Sequence, residues 1–233
     1  MKVDQIIRSA TDFYSQLQND DNSRYRSWEY CFSNFMEARG LDNPNVDYLS
    51  LQLAFYLASW GMYRGSSFLL QKDYMIHVPV VKELLSSKYT PLAGIECCMY
   101  RNKDILKLLE DISTFLENYY GKVRLQVKKE SPQTKLSDTL ITKVLMGTLG
   151  CVPAYDRYFI LGLKNLHVST GVYNMRSISK LADFYEANKM QLEAMRVKLK
   201  VNGIPYPQMK LLDMGLWQIG FELETGKGAK DAN

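Results

Sequence analysis

Residues 137–159 read SDTLITKVLMGTLGCVPAYDRYF, and the fold turns on how this stretch is read. Leu140, Ile141, Val144, Leu145, Thr148 and Leu149 recur at helical spacing, which predicts a buried helix. Ser137 stands at its start, where a hydroxyl can take one of the orphan N–H groups of the first turn. Gly150 stands where a left-handed cap is wanted, and Pro153 keeps the helix from continuing. The turn then places Asp156 among Val152, Tyr155, Tyr158 and Phe159, just before a second helix. A carboxylate in such apolar company must be ion-paired, cap the helix beginning at Arg157, or be chemically useful.

Upstream, Asp4–Gln18 is an amphipathic helix, and SRYRSWEYCFSNFMEAR after a polar turn is a second, with Arg24, Tyr25 and Arg26 near its start, where they could touch a phosphate backbone or form a solvated helix terminus. Leu49 to Trp60 is apolar almost all the way round, which predicts a central helix. Gly61 and Gly65 follow it, and Arg64 falls in or beside that buried region. Such an arginine needs a carboxylate, carbonyls or a phosphate. Trp60, Tyr63, Arg64 and Gln71 together have the chemistry of a base pocket: aromatic walls, a guanidinium and an amide. The alternative is a paired core arginine among packing aromatics.

His77–Ser86 is a short helix with Pro79 in its first turn, and NKDILKLLEDISTFLENYYGKV is a strongly periodic one that Gly121 is expected to end. KVRLQVKKESPQTK, the most basic part of the chain, reads as an exposed loop or lobe boundary near 121–136. Beyond Asp156, RYFILGLKNL continues as helix, Ser177–Lys200 reads as one long amphipathic helix, and YPQMKLLDMGLWQIGFEL as a last packed element, before a frayed tail. No run of residues competes as a strand, and there is no internal repeat. The fold class is therefore all-α, one domain over 1–233.

The chain has 233 residues, 46% of them hydrophobic and 23% charged, enough for one substantial core or two small helical lobes around a cleft. A formal charge of +4 permits nucleic-acid binding without requiring it. Sixteen tyrosines and three tryptophans supply rings that could stack on bases, although core filling accounts for most of them. Cys31, Cys97, Cys98 and Cys151 form no CxxC pair, and His77 and His167 are far apart, so neither a zinc site nor a cofactor is expected. The start MKVDQIIRSA lacks the apolar run of a signal peptide and no span reaches transmembrane length, so a cytoplasmic protein with no membrane partner is expected.

The 137–159 segment resembles the catalytic segment of the helix-hairpin-helix DNA glycosylase superfamily, in which a core helix, a small-residue and proline turn, a catalytic aspartate and a helix follow one another. The resemblance implies a two-lobed helical bundle with a cleft, Asp156 as the catalytic carboxylate, and duplex DNA with an extruded base as partner of a monomeric enzyme. It implies base contacts from Trp60, Tyr63, Arg64, Gln71, Tyr155 and Tyr158, and backbone contacts from Lys128, Lys129, Lys135, Ser137, Lys143 and Arg157. Lys143 is expected at the surface or facing a phosphate. The chain departs from the superfamily in two ways: SPQTKLSD lacks the usual glycine-bearing hairpin, and the four-cysteine iron–sulfur loop of some members is absent. Members that also cut the strand carry a lysine near the start of the core helix. Here the register of Lys135-Leu136-Ser137-Asp138 puts Ser137 or Asp138 there, which implies a monofunctional enzyme leaving an abasic site. The competing readings are a non-enzymatic helical module binding nucleic acid or a protein, and a nuclease. The nuclease is weakened by the lack of a metal-carboxylate cluster.

Overall fold

These periodicities become ten α-helices joined by short 3-10 turns within residues 2–127 and 136–226, the residues the computed structural model describes. Helix α1 (Lys2–Gln18) buries Ile6, Ala10, Phe13 and Leu17, and α2 (Ser27–Ala38) buries Trp28, Cys31, Phe32 and Phe35. Helix α3 (Val46–Ser59) starts at Asn45, whose side chain accepts the N–H of Tyr48. It is not the central helix expected: Tyr48, Leu51 and Phe55, at helical spacing, face outward and are exposed. Helix α4 (Val78–Leu84) carries Pro79 in its first turn, where the missing N–H has no helical partner to lose.

Helix α5 (Lys103–Val127) runs straight through Gly121. Gly121 does not take the left-handed conformation, and Tyr120 and Val123 on either side of it are buried. The packed stripe therefore continues past it, at the entropic cost of one helical glycine. Helices α6 (Asp138–Thr148) and α7 (Arg157–Asn165) flank the Asp156 turn as read from the sequence. The long helix expected over Ser177–Lys200 is instead two, α8 (Met175–Ala187) and α9 (Lys189–Arg196). Asn188 breaks it, leaving helical geometry while its side-chain amide donates to the Phe184 carbonyl. A minimal antiparallel hairpin follows, β1 (Lys200–Val201) and β2 (Ile204–Pro205), turning through Asn202 and Gly203, both at positive φ.

Helix α10 (Gln208–Thr225) is the centre. It is buried on every face from Gln208 to Gly220, and α6 is likewise buried from Leu140 to Thr148. Two neighbours approach α10 to backbone contact. A methyl on Gly220 would overlap the carbonyl oxygen of Tyr158 in α7, and one on Gly162 of α7 would overlap that of Leu216. Gly215 meets the Ile6 carbonyl of α1 in the same way.

The buried apolar side chains form one connected cluster from Val3 to Ile219. Of the expected lobe boundary at 121–136, residues 121–127 belong to α5 and 128–135 lie outside the described residues. All four cysteines are free, and burial pushes the Cys151 thiol up to about 12. No helix among the described residues is long and apolar enough to cross a membrane.

Candidate active site

The C-terminus of α6 is closed by Leu149 and Gly150, whose N–H groups both donate to the Leu145 carbonyl at 3.0 Å, with Gly150 at φ 64°. Packing against Phe32 and Pro207 leaves no room for a side chain at Gly150, so both conformation and space demand glycine. The chain then crosses 151–155 under four tethers. Tyr100 donates its hydroxyl to the Cys151 carbonyl, and Asp213 accepts the Ala154 N–H at 2.9 Å. Thr142 accepts the Tyr155 N–H at 2.9 Å, and Thr139 donates to the Tyr155 carbonyl at 2.9 Å. Asp213 is itself paired with Lys210 at 2.9 Å, each side chain 3% exposed. A turn held by α6, α10 and the Cys97–Arg101 segment at once has little freedom to move.

Asp156 emerges from this turn in an extended conformation and caps α7, one oxygen accepting the Phe159 N–H at 3.1 Å. Its other oxygen lies 3.1 Å from the Lys143 ammonium, with the two side chains 14% and 4% exposed. Lys143 is therefore not at the surface, one of the two places expected for it, but buried in the lining of a hollow. Because α6 is buried on every face from Leu140 to Thr148, an ammonium at this position has to find its partners inside. They are the Asp156 carboxylate, the Trp60 carbonyl at 3.1 Å and the Trp60 ring, 5.1 Å from nitrogen to centroid. Lys210 lies 5.2 Å from the same ring, so the indole serves two buried cations.

Asp156 and Lys143 sit in the lining of a hollow of about 260 Å3. Tyr25, Trp60, Tyr158 and Trp217 supply its aromatic lining, and Arg24, Arg64 and Arg157 are its exposed guanidiniums. The rings form one connected set, with Tyr25–Trp60 centroids 4.9 Å apart, Trp60–Trp217 5.9 Å and Tyr158–Trp217 5.2 Å. The indole N–H of Trp60 is buried without a hydrogen-bond partner, a cost that the packing around it has to offset.

Of the expected base contacts, Trp60, Arg64 and Tyr158 line this hollow. Arg64 is exposed rather than buried, because the chain turns outward at Gly61 and Gly65, both at positive φ. Tyr63 points elsewhere, its hydroxyl 2.8 Å from the Nε2 of buried His77, whose Nδ1 is 2.6 Å from the Tyr120 hydroxyl. Burial lowers the His77 pKa to about 4 and raises that of Tyr63 to about 12. Gln71 is exposed and outside the hollow. Tyr155 is in the core, bonded to Ser177 at 2.7 Å and out of a ligand's reach.

Among the expected backbone contacts, Arg157 is exposed at the hollow, and Ser137 caps α6 beside a second depression shared with Arg64 and Arg124. Lys128, Lys129 and Lys135 lie outside the described residues. The sequence reading missed Thr139, Tyr25 and Trp217 as lining. Of these, Trp217 reads in the sequence only as a packing residue of the last element, because Gln208, Lys210, Asp213 and Gln218 interrupt its apolar run and hide its central place. Among the described residues no group of three His, Cys, Asp or Glu side chains is arranged to hold a metal ion. No family model, curated protein or solved structure matches the chain.

Proposed function

We propose that this protein is a monofunctional DNA glycosylase of the helix-hairpin-helix type, hydrolysing the N-glycosidic bond of a damaged or modified base. The observation that carries the reading is a rigidly mounted carboxylate, Asp156, in the lining of a base-sized, aromatic-lined hollow. An extruded base packs against the aromatic lining, Tyr158 and the accessible part of Trp60 foremost. The glycosidic bond breaks with its electron pair leaving on the base. Positive charge then develops at the anomeric carbon, and a fixed carboxylate there stabilises it without having to reorganise.

A water then adds to that carbon, and Asp156 takes its proton. Lys143 holds the carboxylate in place and does not attack the sugar, so the product is an abasic site. An intact stacked base costs more to extrude than a damaged or mismatched one, which favours lesions, or modified bases such as those of phage genomes, as targets. This leaves roles in repair and in defence against phage both open to the same chemistry.

One observation favours the rival reading, a non-enzymatic helical module binding nucleic acid or a protein. Both oxygens of Asp156 already have protein partners, as a purely structural cap would. The deciding experiment is incubation with cellular DNA and with modified phage DNA, followed by assay of abasic sites and free bases. Base release by the native chain and none by Asp156→Asn, with DNA binding retained, is the expected result. Equal release by both proteins removes Asp156 from the mechanism, and binding without release from any substrate establishes the module.

A further inference from the structure

Two similar Arg–Tyr arrangements open onto the hollow. At Arg24, the guanidinium lies 4.9 Å over the ring of Tyr25 and donates to its hydroxyl at 3.1 Å. At Arg157, the guanidinium lies 4.7 Å over the ring of Tyr158 and donates to its hydroxyl at 2.9 Å. Both tyrosines stand edge-on to Trp217, at 5.7 Å and 5.2 Å between centroids. The first pair belongs to the 3-10 turn Arg24–Arg26 and the second to the start of α7.

We propose that Arg24–Tyr25 and Arg157–Tyr158 are paired phosphate clamps, holding one nucleic-acid strand by the phosphates on either side of the nucleotide in the hollow. This rests on the glycosylase reading and adds to it the side chains that grip the strand beside the extruded nucleotide. A guanidinium carries five N–H donors and the tyrosine occupies one of them. The phenol that accepts it keeps its own O–H to donate, so each clamp aims two kinds of donor at an oxyanion. Stacking fixes the guanidinium plane beforehand, which reduces the rotamer freedom lost on binding.

The charge around the hollow fits an anionic chain. Four cations and one carboxylate line it, and the carboxylate is matched by Lys143, which leaves Arg24, Arg64 and Arg157 to face the ligand. Arg157 also reaches Glu224 at 3.0 Å, but both side chains are substantially exposed, and so weak a surface pair gives way to a phosphate. One phosphate needs one grip. Two grips around one hollow suit a strand that enters and leaves.

The test uses full-length Asp156→Asn and a fluorescent duplex with a single tetrahydrofuran abasic analogue, its affinity measured across a salt series. Each phosphate contact adds about 0.9 to the slope of log affinity against log salt, so losing two contacts lowers the slope by about 1.8. Adding Arg24→Gln and Arg157→Gln is expected to produce that loss, shrinking the affinity change between about 50 and 200 mM salt roughly tenfold. Neutral methylphosphonate linkages on both sides of the analogue are expected to lower the slope equally, with no further fall when the two changes are combined. An unaltered slope in the arginine variant, or independent effects of the two changes, overturns the clamps. Base release by the native chain is assayed in parallel. Release with an unaltered slope sinks the clamps alone, whereas binding with the expected slope but no release sinks the glycosylase reading alone. Failure to bind the duplex at any salt overturns the clamps outright.

Discussion

Asp156 is held by a neutral donor and by a charged one, and the two contacts are separable by substitution. The Phe159 N–H makes it an N-cap, a role asparagine fills about as well and alanine does not. The Lys143 contact is an ion pair in which the cation is the more deeply buried member, at 4% exposure against 14%. Removing one partner of a buried pair leaves the other charge stranded, at a cost of about 3 kcal/mol. Asp156→Ala is therefore expected to lose about 4 kcal/mol in urea unfolding, and Asp156→Asn about 1 kcal/mol less because the cap survives. Lys143→Met combined with Asp156→Asn is expected to recover most of the loss, since neither charge then remains. If the two single losses simply add, the pair is not coupled. The sequence located Asp156 because a glycine cap, a proline and a following helix are local signals. It misplaced Lys143 because a lone lysine defaults to water, a default that fails only when the whole helix is seen to be buried. Arg64 shows the opposite error, since the apolar run before it suggested burial while the two glycines carry it out to solvent.

At the scale of elements, glycines with opposite surroundings give opposite predictions. Gly121 lies inside α5 with no atom within 4 Å of where a methyl would sit and no positive φ. Gly121→Ala is expected to stabilise by about 0.5–1 kcal/mol. Gly220 and Gly162 lie where the backbones of α10 and α7 touch, and a methyl at either overlaps a carbonyl oxygen. Gly220→Ala is expected to cost about 3 kcal/mol or more by forcing the helices apart. Because α7 begins at Arg157, immediately after Asp156, the glycosylase proposal adds that base release falls further than the loss of folded protein explains. Paired thermal melts and activity assays on the two variants check both signs. Helix identities were legible here and helix ends less so. Asn202-Gly203 is a two-residue hairpin signal in the bare sequence, overlooked because its flanking strands are only two residues long. The break at Asn188 had weaker notice, because the apolar period continues on both sides of it.

Across the whole molecule, the helical class was readable from period and composition, but the arrangement was not. Which helix is central depends on backbone approach at Gly162, Gly215 and Gly220, contacts between elements distant in sequence. In a different part of the core, His77 is sealed between Tyr63 and Tyr120, and its burial lowers its pKa to about 4. This gives a pH dependence of global stability whose sign is fixed. Above the unfolded value of about 6.5 the ring is neutral in both states and contributes nothing to the slope. Below it, the unfolded chain binds a proton that the folded chain refuses, so stability falls as pH drops from about 6.5 to about 4 and then levels off as the folded ring also protonates. A displacement of this size corresponds to about 3 kcal/mol across that window. His77→Gln is expected to be less stable at neutral pH, since the two phenols lose a well-shaped partner, yet to decline less steeply on acidification by one proton's slope. Urea unfolding of both proteins at intervals from pH 7 to pH 4 reads the difference directly, with the carboxylates common to both cancelling out. Parallel curves would show that protonation of His77 is not resisted by the fold, and that the Tyr63–His77–Tyr120 chain opens to water before the protein unfolds.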